Sequence, residues 1–199
     1  VNHGVRIAIS GLAGCGNTTA CKNVAKTLKL KVVNFTLRNL AEEMGMTLDE
    51  ILDKRKDDPK YDYLLDRKQI SLVSSEDDTI LGSRLSSWLI YADLKVWLDA
   101  SLRERAARIV EREEREYYEV LVETKKRDEE DIATYKKLYG IDIMKHDEID
   151  LTINTERFDA NEVAQIIINT VRVLEARKPK HNRYTQRIMD TINKKIGRS

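Results

Sequence analysis

Gly11-Leu12-Ala13-Gly14-Cys15-Gly16-Asn17-Thr18-Thr19 is the stretch on which the chain turns. The apolar run 5–10 precedes it, and residues 20–28, with helical periodicity, follow it. Strand, glycine-rich turn and helix in that order are the setting of a phosphate-binding loop. Successive backbone N–H groups of such a loop wrap an anion, and the start of the helix adds partial positive charge. Gly11, Gly14 and Gly16 allow close approach and unusual dihedrals. With Cys15, Asn17, Thr18 and Thr19 they are the candidate phosphate-binding residues, and Thr18 is placed to offer its hydroxyl to Mg2+. One position departs from the pattern G-x-x-x-x-G-K-[ST]: Asn17 stands where lysine belongs. Asparagine can donate a hydrogen bond but is shorter and neutral. Loss of one well-placed electrostatic contact costs about 3–4 kcal/mol, or about 10²–10³ in rate.

A chain of 199 residues with 41% hydrophobic and 35% charged residues fits one folded domain with charged surface helices. Both cysteines, Cys15 and Cys21, fall in the opening strand-loop-helix unit, which points to a reducing compartment rather than a disulfide framework. No apolar run reaches membrane-spanning length and no signal-peptide pattern is visible, so the expectation is a cytoplasmic protein with no membrane contact. The net charge of +1 hides an asymmetry. Residues 172–199 carry nine lysines and arginines against two acidic residues, so this end is a different surface from the rest.

In chain order, residues 31–35 read as a second strand and 37–44 as a helix ending near Gly45. Thr47 and Glu50 form a capping box that restarts a helix. Residues 54–59 read as a polar break and 61–72 as a further helix, and strands are expected at 78–84, 94–98 and 150–154. Residues 102–138 are densely charged and almost free of helix breakers, as expected of two solvated helices with i,i+4 ion pairs. Residues 160–174 form an apolar-faced helix. Beyond Pro179, Tyr184, Ile188, Ile192 and Ile196 recur every four residues, predicting one more amphipathic helix that needs a partner surface. Strands alternating with helices at this spacing predict an α/β fold with a parallel sheet.

Several segments in order resemble the nucleoside monophosphate kinases and, within them, the archaeal-type cytidylate kinases. They are Gly11–Thr19; residues 44–50 with Asp66-Arg67; Leu81-Gly82-Ser83-Arg84 and on to Trp88; residues 105–112; Lys126-Arg127; residues 135–143; and 150–155. The resemblance covers residues 5–170. It implies a P-loop kinase fold of five parallel strands flanked by helices, with acceptor-binding helices at 36–75 and a mobile lid at 102–140. The kinase domain would span 1–175, with 176–199 a basic C-terminal extension, helical in part. It also implies ATP with Mg2+ in the loop, CMP or dCMP in the cleft, and (d)CMP kinase activity in a monomer or weak homo-oligomer. Arg38 and Arg84 resemble the residues that grip the acceptor phosphate. Arg108, Arg112 and Arg127 resemble the lid arginines that close over the phosphoryl groups.

Three positions depart from the family pattern. Asn17 replaces the lysine, the segment 34–38 lacks a Ser/Thr-x-Gly turn, and Thr134 stands where an arginine is usual. All three fall on phosphate or acceptor contacts. The alternative to a working kinase is thus a catalytically weak or inactive nucleotide-binding or interaction protein on the same scaffold. The basic segment beyond residue 175 lies outside the resemblance and fits contact with its own domain, a protein partner or, less directly, RNA.

Overall fold

Ile7, Ala8 and Ile9 are completely buried in strand β1 (Arg6–Ser10), as a strand covered on both faces requires. The computed structural model describes residues 4–174 and 183–197. Around β1 lie β2 (Lys31–Val33), β3 (Thr79–Gly82), β4 (Leu94–Asp99) and β5 (Leu151–Asn154). The order is β2-β3-β1-β4-β5, every pairing parallel, so the expected five-stranded sheet is present. Strand order reverses at β1, and the glycine-rich loop leaves its C-terminal end, where open α/β sheets place their ligand crevice.

Side-chain alternation divides the core. Ile7, Ile9, Val96 and Leu98 face α1 (Asn17–Leu28) and α8 (Ala160–Leu174), meeting Cys21, Val24, Val163 and Ile167. Ala8, Leu81 and Trp97 face the other way, toward α4 (Lys60–Ser74), α5 (Ser86–Leu89) and a helix at the C-terminal end, α9 (Arg183–Ile196). Ile188 and Ile192 of α9 are completely buried there beside Trp88, Trp97 and Tyr139. The four-residue spacing seen in the sequence therefore finds its partner surface in this chain, and α9 shares the sheet's core. Pro179 and the residue 175/176 boundary lie outside the described residues.

Helix α2 (Leu37–Glu43) starts at a reciprocal cap in which Thr36 and Asn39 exchange hydrogen bonds. β2 ends at Val33, two residues short of the expected strand, because the chain leaves the sheet edge to enter that cap. The capping box at Thr47 and Glu50 starts α3 (Leu48–Asp57) as expected. The polar break expected over 54–59 shrinks to Asp58 and Pro59. The charged residues before it stay helical because Lys56 pairs with Asp53 and Arg55 reaches Asp62 of α4, both at 2.7 Å. The charged segment forms α6 (Leu102–Glu113) and α7 (Tyr117–Tyr139), an antiparallel pair lying over the loop end of the sheet. α5, a four-residue turn of helix, has no sequence signal long enough to predict it.

Candidate active site

Gly14 and Gly16 take left-handed φ values of 85° and 97°. Within the loop the Cys15 N–H donates to the Leu12 carbonyl at 3.1 Å, and the Ala20 N–H donates to that of Gly16 at 2.9 Å. The N–H groups of Gly14, Gly16, Asn17 and Thr18 have no acceptor among the described residues. Unpaired N–H groups in a loop that opens a helix are an arrangement suited to an anion. Gly14 has a second reason to lack a side chain: a Cβ there would lie 2.8 Å from the Arg105 carbonyl, so α6 presses directly on the loop.

Asn17 folds back across the loop. Its Nδ2 donates to the Gly11 carbonyl at 2.9 Å, while its Oδ1 is buried without a partner. A Cβ on Gly11 would come within 2.7 Å of that oxygen. The side chain thus bridges the loop's two ends and carries no charge. Cys15 is buried, and that burial pushes its thiol up to about 11; Cys21 is pushed up to about 12 for the same reason. Both stay neutral thiols and serve as packing.

Two cavities flank the loop. The smaller, about 240 Å³, is lined by Cys15, Gly16, Thr19, Arg108, Thr155 and Phe158 among others. Arg108 forms one wall, donating to Thr155 Oγ1 at 2.9 Å and the Thr155 carbonyl at 2.7 Å while pairing with Glu104 at 3.0 Å. The larger cleft, about 1590 Å³, brings Thr18, Arg38, Arg84, Arg127 and Thr134 together from α1, α2, the β3 end and α7. Arg84 Nε lies 2.7 Å from Asp131 Oδ2, and Arg127 shares the same carboxylate's neighbourhood. Burial, and secondarily the facing Arg84 cation, press the Arg127 pKa down. Two guanidiniums thus share one acidic neighbour at the cleft wall. Arg38, on α2, is exposed and lines the same cleft. Arg112 is not brought into either cavity: it projects from the end of α6, largely exposed, and pairs with its neighbour Glu113.

Arg105 is the residue that the sequence did not single out. It is buried and donates to the Ala13 carbonyl at 3.0 Å, the Ala100 carbonyl at 3.1 Å, and both oxygens of buried Asp128 at 3.2 and 2.7 Å. One guanidinium therefore ties the glycine-rich loop to the end of β4 and to α7.

The cleft floor holds a buried carboxyl, Asp66, whose Oδ2 accepts from the Tyr139 hydroxyl at 2.6 Å. Burial pushes Asp66 up to about 7; the Tyr139 hydrogen bond and the more distant Arg55 oppose this, and nearby Asp62 adds to it. Asp62 and Asp131 are pushed up by burial as well. A carboxyl whose folded pKa is raised holds a proton that the unfolded chain releases. Asp66 therefore makes stability fall as pH rises from its ordinary value near 4 to about 7. Asp66→Asn keeps an acceptor for Tyr139 and is expected to lessen the loss of melting temperature between pH 5 and pH 8. Equal losses in variant and wild type would contradict the assignment.

The chain matches the cytidylate kinase-like family over residues 6–157. Cytidylate kinase 2 of Borrelia garinii subsp. bavariensis is 39% identical over 168 residues, covering 82% of this chain and 94% of the relative. The cytidylate kinase of Archaeoglobus fulgidus is 38% identical over 172 residues, covering 85% and 96%. Among solved structures, shikimate kinase from Bacteroides thetaiotaomicron superposes with a TM-score of 0.57 at 16% identity, covering 84% of this chain and 98% of that one. Deoxyadenosine kinase from M. mycoides gives 0.54 at 15% identity, covering 84% and 99%. These two share the fold alone. Among the described residues no helix is long and apolar enough to cross a membrane. Family match, curated relatives and P-loop sheet agree: the chain belongs to the cytidylate kinase-like family.

Proposed function

We propose that the protein transfers the γ-phosphoryl group of ATP to CMP or dCMP, giving ADP and CDP or dCDP, at a rate limited by Asn17. The observation that carries this is the convergence on one cleft of Arg38, Arg84 and Arg127 with Thr18, in the first turn of the helix that the glycine-rich loop enters. The four free N–H groups and the left-handed glycines fit a polyphosphate, and the exposed Thr18 hydroxyl fits the metal that accompanies it. Thr18 would help hold Mg2+, which would supply neutralisation of phosphate charge.

The rest is done by the chain. The loop amides hold the donor phosphates, and Arg108 walls the small cavity beside them, where the donor base fits. Arg84 and Arg127 neutralise the equatorial oxygens as the phosphoryl group passes, and Arg38 holds the acceptor phosphate. α6 and α7 close over the site, bringing Arg112 nearer and excluding the water that would otherwise take the phosphoryl group.

Asn17 also favours a second reading, a nucleotide-binding protein without turnover, because its side chain is committed to the Gly11 carbonyl and brings no charge. Chromatography of a reaction holding ATP, Mg2+ and CMP decides between them. CDP formation that a chelator abolishes supports the kinase. ATP and CMP binding by calorimetry without any CDP supports the second reading.

A further inference from the structure

Helix α9 lies beyond residues 6–157, where the family match falls, yet two side chains connect it to the acceptor cleft. Arg187 donates from Nη2 to the Tyr139 carbonyl at the C-terminal end of α7. The adjoining Gly140 is left-handed, φ 65°, and a Cβ on it would lie 2.8 Å from that same nitrogen, so the helix end is shaped to admit the guanidinium. Arg187 also sits over the Tyr184 ring, 5.7 Å from its centroid. Ile188 and Ile192, completely buried, anchor the helix, as does the Thr185 hydroxyl donating to the Trp88 carbonyl at 3.3 Å.

The other end of Tyr139 reaches a carboxyl that lines the cleft. Its hydroxyl donates to Asp66 Oδ2 at 2.6 Å, and its ring meets Tyr63 edge-on at 5.9 Å. Asp66 lines the cleft beside Asp62, Gln69 and Arg55. A single tyrosine is thus held by α9 through its backbone and holds a cleft carboxyl through its side chain.

We infer that Arg187 and Tyr139 are positioning residues that set Asp66 for the acceptor nucleotide, making α9 a working part of the acceptor site; this rests on the cleft being the CMP site. The hydrogen bonds within the glycine-rich loop share none of these partners. Disturbing the relay should therefore weaken acceptor binding and spare donor binding.

The test measures Kd for CMP and for ATP by calorimetry, with KM for each, in wild type, Tyr139→Phe, Arg187→Met and Arg187→Lys. Removing a hydrogen bond to a buried carboxyl predicts a rise of about tenfold in the CMP constants of Tyr139→Phe, with those for ATP changed less than about twofold. Arg187→Met shows a smaller rise of the same selectivity, and Arg187→Lys, which can still donate to the carbonyl, recovers most of it. Because α9 sits in the core, the selectivity for CMP separates positioning from folding: a merely structural role would weaken both ligands together. Wild-type CMP binding that no variant weakens, or equal weakening for both nucleotides, overturns the relay. A wild-type protein that binds ATP but no CMP overturns the assignment of the cleft, and the relay with it.

Discussion

Replacing Asn17 with lysine is expected to raise kcat for CMP phosphorylation at least about a hundredfold. The variant gives up the Asn17 hydrogen bond to the Gly11 carbonyl, 2.9 Å long, and relieves the partnerless buried Oδ1. A bond of this kind is worth about 1 kcal/mol net, while a well-placed cation on the developing charge contributes about 3–4 kcal/mol to the transition state. The lost bond bears on folding, whereas the cation acts on charge that develops in the transition state, so the loss does not offset the gain in rate. The gain should fall mainly on kcat, with a smaller decrease in KM for ATP, because the missing group acts most on charge that develops during transfer. A coupled spectrophotometric assay at saturating ATP and CMP measures it. A variant no faster than wild type would place the defect on the acceptor side, at Thr134 or the 34–38 segment that lacks the Ser/Thr-x-Gly turn, or show that another cation already fills the role.

Arg105→Ala carries the largest expected cost to stability. The wild-type guanidinium satisfies two backbone carbonyls and both oxygens of Asp128 while almost wholly buried. Truncation leaves the Asp128 carboxylate buried without its countercharge, a change that costs about 3–5 kcal/mol. For a chain of this size that is a fall of about 10 °C or more in melting temperature. Activity should fall further than stability alone explains, because the Ala13 carbonyl loses its anchor and the cradle loosens. Replacing Asp128 together with Arg105 by apolar residues should recover part of the stability and little of the activity, since the buried charge is gone but the loop remains untied. Thermal melts and the same coupled assay read both effects. A shift under about 2 °C for Arg105→Ala would mean that the pair is not buried in solution.

The contrast between these two residues shows what a sequence of this kind discloses. Asn17 is conspicuous because it interrupts a motif whose other members are in place, with a buried strand before it and a helix after it. Arg105 sits among Arg103, Arg108, Arg112 and Arg115, and in a stretch this charged every arginine looks solvated. The one local signal was its company: Arg105, Ala106 and Ile109 form the buried face of α6, so helical spacing already set it apart from Arg103 and Arg112. What the spacing could not supply was Asp128, 23 positions away on α7, whose register against α6 is fixed by the hairpin turn. The four-residue repeat of α9 likewise announced a buried face, but its partner, formed by α4, α5 and the end of α7, exists only once the sheet is assembled. Asp66 was visible as part of a motif, whereas its raised pKa comes from burial in the assembled fold, with nearby Asp62 adding to it. Local periodicity and loop chemistry were legible; pairings that cross between elements were not.

Steady-state phosphorylation of CMP, dCMP, UMP and AMP by the wild-type protein, at saturating ATP and Mg2+, tests the central claim most directly. The account predicts slow but measurable turnover with a kcat/KM for CMP or dCMP above those for UMP and AMP. No product from any of the four nucleotides, with ATP and CMP binding intact, would contradict it.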